Sequence, residues 1–138
     1  MRWVTRTSCH VDRTACAWLI RRFIDPDAAF EFVTDVSRLP ADATPFDIAG
    51  QQFSHHEGNS TFEVMVEHFG ITEPGIAELG RVIHEADLED ERYDAPEAAG
   101  LDAIIRGLGQ LYDDARLIES SRPIYDALLV RLASPGPA

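Results

Sequence analysis

The chain contains no lysine, only two cysteines and no long run of apolar residues. Cys9 and Cys16 are separated by six residues, a spacing that matches neither a CxxC redox pair nor a cysteine-rich zinc finger. No stretch approaches the roughly eighteen apolar residues of a membrane-spanning helix, and the polar residues 1–8 lack the apolar core of a signal peptide. We therefore expect no membrane association, a cytoplasmic location and two free thiols.

The charge is strongly one-sided. All 12 basic residues are arginines, they stand against 24 acidic residues, and the formal net charge is −12 at pH 7. A protein this acidic repels a phosphate backbone, so direct nucleic-acid binding is not expected. Several arginines nevertheless lie near the N-terminus, where Asp12 is the first acidic residue; they are Arg2, Arg6, Arg13, Arg21 and Arg22. We expect a small anionic ligand near this end of the chain rather than DNA.

The spacing of apolar residues predicts a mixed α/β (α+β) fold with a small N-terminal sheet. Residues 3–5 are typical of a first strand, and residues 11–24 of a helix that stops at Asp25-Pro26. Further strands are predicted at residues 30–33 and 45–50, which completes a βαβ start.

The C-terminal part of the chain is predicted to be mainly helical. A capping box formed by Ser60 and Glu63 opens the first of these helices, which ends near Gly70. Three more apolar stripes predict helices at about residues 76–88, 96–112 and 121–133. A chain of 138 residues supports one core, so we predict a single domain over residues 1–133 and a disordered tail at 134–138.

Imidazole and carboxylate side chains recur on these apolar elements and predict a metal centre. The stretches are residues 10–13, 53–56 with 62–63 just beyond, and 84–87. These ligands suit a borderline divalent cation such as zinc, iron or manganese. The predicted metal ligands are His55, Glu63, His84 and Asp87.

Each ligand also has a simpler explanation. His84 and Asp87 would project from one helix face as a chelating pair, but a salt-bridged surface pair has the same spacing. His55 lies in an irregular segment, where a backbone carbonyl could satisfy its ring. Glu63 occupies the capping-box position that bonds back to the Ser60 amide, although a role as ligand or general base is compatible with that.

Asp12 and Arg13 open the first predicted helix. Asp12 could orient a ligand histidine or, like Glu63, act as a catalytic base, and Arg13 together with Arg6 could bind an oxyanion. A helix-start carboxylate and a solvated arginine explain the same residues without a site.

Several segments closely resemble the chromate-resistance protein family. The longest is VDRTACAWLIRRFID at residues 11–25; shorter ones are WVTR, PFD, FSH, TFEV and IHEAD, beginning at residues 3, 45, 53, 61 and 83. In that family the domain occurs as the C-terminal half of the chromate-resistance regulator B and as a stand-alone protein, which we expect here. The resemblance implies chromate resistance or sensing and no particular reaction. Family members often carry Cys where this chain has Ser60, which argues against thiol-driven chromate reduction.

Three functional hypotheses follow. The first is a metal-binding protein that binds or senses a tetrahedral oxyanion such as chromate, with Asp12 supporting the ligands. The second is a metal-dependent hydrolase or lyase that acts on a small anionic substrate, with Glu63 or Asp12 as base. The third is a metal-free interaction module. These residues do not decide whether the protein is an enzyme, and an assembly of several copies of the chain is left open.

Overall fold

The computed structural model of the chain describes residues 1–134. A three-stranded parallel sheet forms the N-terminal end, with the strand order β2-β1-β3. The strands are β1 (Arg2–Arg6), β2 (Ala29–Val33) and β3 (Thr44–Pro45). Parallel neighbours need a crossover connection, and a helix between β1 and β2 provides it. The predicted βαβ start and the mixed fold with a helical C-terminal part are confirmed.

The crossover helix α1 (Val11–Leu19) continues as a π-helical turn over Ile20–Ile24. The turn closes with a bond from the amide of Asp25 to the carbonyl of Ile20, at 2.6 Å. The predicted helix at residues 11–24 is therefore present, with a wider last turn than the pattern indicated.

Four more helices follow the sheet. They are α2 (Thr61–His68), α3 (Ile76–Leu88), α4 (Ala98–Leu111) and α5 (Asp114–Ala133). The capping box predicted at the start of α2 is confirmed, because Ser60 and Glu63 bond each other's backbone amides. No helix within residues 1–134 is both long and apolar enough to cross a membrane.

Two predicted boundaries are wrong. The third strand, expected at 45–50, covers only Thr44–Pro45, because Asp47 takes a positive φ of 53° and turns the chain away from β1. The last helix starts at Asp114 instead of residue 121, because the carboxylate of Asp113 caps it by accepting from the amide of Arg116 at 2.9 Å. Of the predicted tail, residues 135–138 lie outside the described part of the chain.

Helix α1 is the centre of the domain, because it packs against α2, α3 and α5. Nearly every α1 side chain is buried, including the polar Asp12 and Thr14. Buried polar groups need hydrogen-bond partners, and the Thr14 hydroxyl finds them in the carbonyl of His10 at 2.8 Å and the hydroxyl of Tyr125 at 2.7 Å. This burial places Asp12 at the junction of α1, α2 and α3.

Candidate metal centre

A cavity of about 490 Å³ lies beside the N-terminal end of α1. The segment after β3 and the last turn of α3 contribute to its walls. The polar side chains that line it include Arg6, His10, Arg13, Asp47, His55 and Asp87. It therefore brings together residues from three of the stretches that the sequence singles out.

His55 stands among three carboxylates at this cavity. Its Nε2 lies 2.9 Å from Oδ2 of Asp12, 3.6 Å from Oδ1 of Asp47 and 3.7 Å from Oδ2 of Asp87. We call these four residues the His55 group. Asp12, His55 and Asp87 each offer one ligand atom within 4.8 Å of the others.

Asp12 also anchors α2. Its Oδ2 accepts the amide of Thr61 at 2.8 Å, and its Oδ1 accepts the amide of Phe62 at 2.9 Å. These are the first two amides of α2, which have no partner inside the helix. The third, that of Glu63, bonds to the hydroxyl of Ser60. A carboxylate from α1 thus completes the cap of a helix that begins 49 residues later in the sequence.

Arg13 is engaged by the protein itself. Its guanidinium donates to the side chain and the carbonyl of Asp47, both at 3.1 Å, and to the carbonyls of Arg6 and Thr7 at 3.1 and 3.2 Å. Four of its five N–H donors are used in this way. Within residues 1–134, the guanidinium of Arg6 makes no hydrogen bond to another residue and lines the cavity. Of the two arginines predicted to bind an oxyanion, Arg6 is thus the more available.

The electrostatics of the His55 group reflect crowded negative charge. The hydrogen bond to Asp12 raises the pKa of His55 to about 9, against the opposing effect of partial burial. Burial and repulsion by Asp12 raise the pKa of Asp47 to about 6, although Arg13 and Thr61 act in the other direction. Burial and Asp12 also raise the pKa of Asp87. The group therefore favours a bound positive charge, which an imidazolium or a metal ion can supply.

The other two predicted ligands lie in a second group. Nδ1 of the fully buried His84 lies 2.5 Å from Oε1 of Glu63, and its Nε2 lies 2.8 and 3.0 Å from the two oxygens of Asp90. Glu85 also offers a ligand atom within 4.8 Å of His84 and Asp90. We call these four residues the His84 group.

The expected centre of His55, Glu63, His84 and Asp87 is therefore divided between two groups. Within residues 1–134, no side-chain hydrogen bond or ion pair joins one group to the other. The reason is that the two α3 residues contact different helices. His84 contacts Glu63 on α2. Asp87, one turn later, contacts the start of α1, where it accepts the amide of Asp12 at 3.4 Å. Metal binding by either group stays a prediction.

Four members of these groups are not among the metal ligands predicted from the sequence: Asp12, Asp47, Glu85 and Asp90. Asp47 sits in the quoted PFD segment and enters its group through the left-handed turn after β3. Asp90 belongs to the acidic run of residues 89–91 that follows α3. Only the fold brings it to His84.

Both cysteines are free and buried. Cys16 lies inside α1, where its Sγ is 3.5 Å from Oδ1 of Asp12. Burial, and after it the charge of Asp12, raises the pKa of this thiol well above its usual value. A thiol without thiolate character is a poor nucleophile, so nothing here assigns Cys16 a redox role.

The fold and its cavity define a small α+β domain with a histidine-bearing pocket that is lined by charges of both signs. A profile of the family described as "ChrB, C-terminal domain" matches residues 3–132. The chain is 41% identical to Protein ChrB of Cupriavidus metallidurans strain CH34 over 135 aligned residues, and this alignment covers 96% of the chain. No solved structure matches it.

The chain therefore belongs to the ChrB C-terminal domain family and is a chromate-resistance-type domain, as its resemblance implied. It spans only 41% of the length of the Cupriavidus relative.

Proposed function

We propose that this domain binds a divalent transition metal, zinc, iron or manganese, through Asp12, His55 and Asp87, and takes up a tetrahedral oxyanion such as chromate in the adjoining cavity. The observation that carries the proposal is the pair of distances from Nε2 of His55 to Oδ2 of Asp12 and Oδ2 of Asp87, 2.9 and 3.7 Å. Metal–ligand bonds of about 2.0–2.2 Å at angles between 90° and 120° separate neighbouring donors by about 2.8–3.8 Å. The spacing thus suits donors arranged around one cation.

A proton and a metal ion compete for the same position in this group. Nε2 of His55 points at Oδ2 of Asp12, so the point between them holds either the hydrogen bond or the ion. Asp12 keeps its two backbone donors in both cases, because each carboxylate oxygen has two lone pairs. Its anchoring of α2 would hold it in place as a ligand.

The charge of the cavity supports an anion that binds together with the metal. A dianion entering alone would face Asp47 and Asp87, whereas a bound divalent cation reverses the local charge. Arg6 and the remaining N–H of Arg13 would then contact the anion's oxygens. Sulfate has the same shape and charge as chromate and should compete with it.

Calorimetric titration with Zn²⁺ or Mn²⁺ tests the metal site. His55→Ala should weaken binding at this site at least about 100-fold, because removing even an outer-shell partner lowers affinity 10–100-fold. His56→Ala is the matched control, because its ring bonds to the carbonyls of Gln51 and Gln52 outside the group. Unchanged metal affinity in His55→Ala would refute the proposed site.

Equilibrium dialysis with chromate tests the second half of the proposal. The metal-loaded protein should bind chromate more tightly than the metal-free protein, and Arg6→Gln should weaken this binding. Equal binding with and without metal would show that the ion plays no part in anion recognition.

The hydrolase or lyase alternative has less support. Each oxygen of Asp12 already has two partners, the Thr61 amide and His55 on Oδ2 and the Phe62 amide and the Cys16 thiol on Oδ1. Glu63 lies in the His84 group away from the cavity of His55. Neither candidate base is therefore free to deprotonate a water at this site. A metal-free interaction module would bind neither ion in these titrations. The unbridged cysteines support the cytoplasmic location that we propose for the domain.

A further inference from the structure

We propose a second, separate metal site in the His84 group, formed by His84, Glu85 and Asp90, with Glu63 as the positioning residue. The observation behind it is that both ring nitrogens of one buried imidazole face carboxylates. A neutral imidazole has only one N–H, so it can satisfy only one of these two carboxylates. A positive charge is needed between the other nitrogen and its partner, and either a second ring proton or a metal ion can supply it.

Glu63 decides which nitrogen is free. Its Oε1 lies 2.5 Å from Nδ1 of His84 and also accepts the amide and the hydroxyl of Ser60, at 2.9 and 3.1 Å. Its Oε2 accepts the hydroxyl of Tyr93 at 3.2 Å. Held by the capping box and by Tyr93, Glu63 would accept a hydrogen bond from Nδ1–H of a neutral His84 ring, which leaves the lone pair of Nε2 for a metal ion. A histidine whose second nitrogen donates to a carboxylate is the usual arrangement of a metal ligand.

The donor set on the other side of the ring suits a borderline first-row cation. Nε2 of His84 lies 2.8 Å from Oδ2 of Asp90, and His84, Glu85 and Asp90 each offer an atom within 4.8 Å of the others. One nitrogen and two carboxylate oxygens leave positions for water or a further ligand. The site is thus an open one, unlike a closed four-ligand structural site.

The surroundings favour a cation over an anion. Glu85 also lines a cavity of about 690 Å³ whose other acidic residues raise the local concentration of positive ions. These residues are Glu89, Glu91, Asp94 and Asp102. The cavity at His55 is instead lined by both signs of charge, so the two sites should differ in what joins the metal.

A Zn²⁺ titration by calorimetry, followed by Mn²⁺ broadening of the Tyr93 ring resonances, tests this site. Wild-type protein should bind two equivalents. Asp90→Asn and Glu85→Gln should each weaken one of them at least about tenfold, and Asp94→Asn, which changes a carboxylate of the same cavity outside the group, should leave both unchanged. Asp90 is exposed and Glu85 is partly exposed, and circular dichroism checks that the Asp90→Asn and Glu85→Gln variants fold.

The outcomes separate the two sites. Loss of one equivalent in His55→Ala and of the other in Asp90→Asn establishes both. If Asp90→Asn and Glu85→Gln bind as the wild type does, or if Mn²⁺ leaves Tyr93 unaffected, the second site is refuted while the first can stand. If the only equivalent bound is the one lost in Asp90→Asn, the second site stands and the proposed function at His55 fails.

Discussion

Replacing Asp12 by alanine removes the side chain that accepts the first two amides of α2. Asp12 is 1% exposed, so Asp12→Ala leaves these amides buried without a partner. A buried donor without a partner costs about 1–3 kcal/mol, so two cost about 2–6 kcal/mol. The lost interaction of the carboxylate with the positive end of the helix adds about 0.3–1 kcal/mol.

Water that enters the space left by the carboxylate should recover part of this loss. We therefore expect Asp12→Ala to lower the free energy of unfolding by about 3 kcal/mol, or roughly 10 °C in Tm for a domain of this size. Asp12→Asn keeps one acceptor oxygen and should lose about half as much.

Urea unfolding followed by far-ultraviolet circular dichroism measures these losses. EDTA must be present throughout, because a metal bound to the native state would add its own stabilisation. Asp87→Ala is the control: it removes a carboxylate of the same group whose backbone contact is a single long one, at 3.4 Å. The reasoning is refuted if Asp12→Ala loses less than about 1 kcal/mol or no more than Asp87→Ala does.

Three further predictions use the same urea assay. Gly75→Ala should lower the free energy of unfolding by more than about 2 kcal/mol, because φ is +90° and a new Cβ would lie 2.9 Å from backbone atoms of α5. Gly107 has open space around it, so Gly107→Ala should raise the free energy of unfolding by about 0.5–1 kcal/mol. Equal stability of the two variants would contradict this. Tyr125→Phe should lose about 1–2 kcal/mol through two buried hydrogen bonds, and no change would show them to be replaceable. Arg13→Lys should lose about 1–3 kcal/mol, because an ammonium cannot reproduce the four-bond contact; a fully stable lysine variant contradicts that account.

Local patterns in the sequence predict most of the fold. The capping box at Ser60 and Glu63 and the apolar stripe of α3 depend on neighbours three and four residues apart, so they can be interpreted without a structure. The first half of α5 could not be predicted in this way, because its exposed polar residues interrupt the apolar stripe and the capping Asp113 gives only a weak signal.

The sites depend on contacts between distant parts of the chain. Helical spacing places His84 and Asp87 on one side of α3. It does not predict that Glu63 contacts His84 and that Asp12 contacts Asp87. The capping of α2 by Asp12 joins residues 49 and 50 positions apart, and no local pattern contains it. The kinds of ligand could therefore be predicted, and their partners could not.

The first turn of α2 contacts both groups. The amides of Thr61 and Phe62 donate to Asp12, and the carboxylate of Glu63, the next residue, contacts the ring of His84. One helical turn rises only about 5.4 Å, so a displacement of this turn by an ion bound on one side would reach the proposed ligands on the other. By thermodynamic linkage any such influence must be equal in both directions, and each ion's affinity has to be measured with the opposite site both filled and vacant.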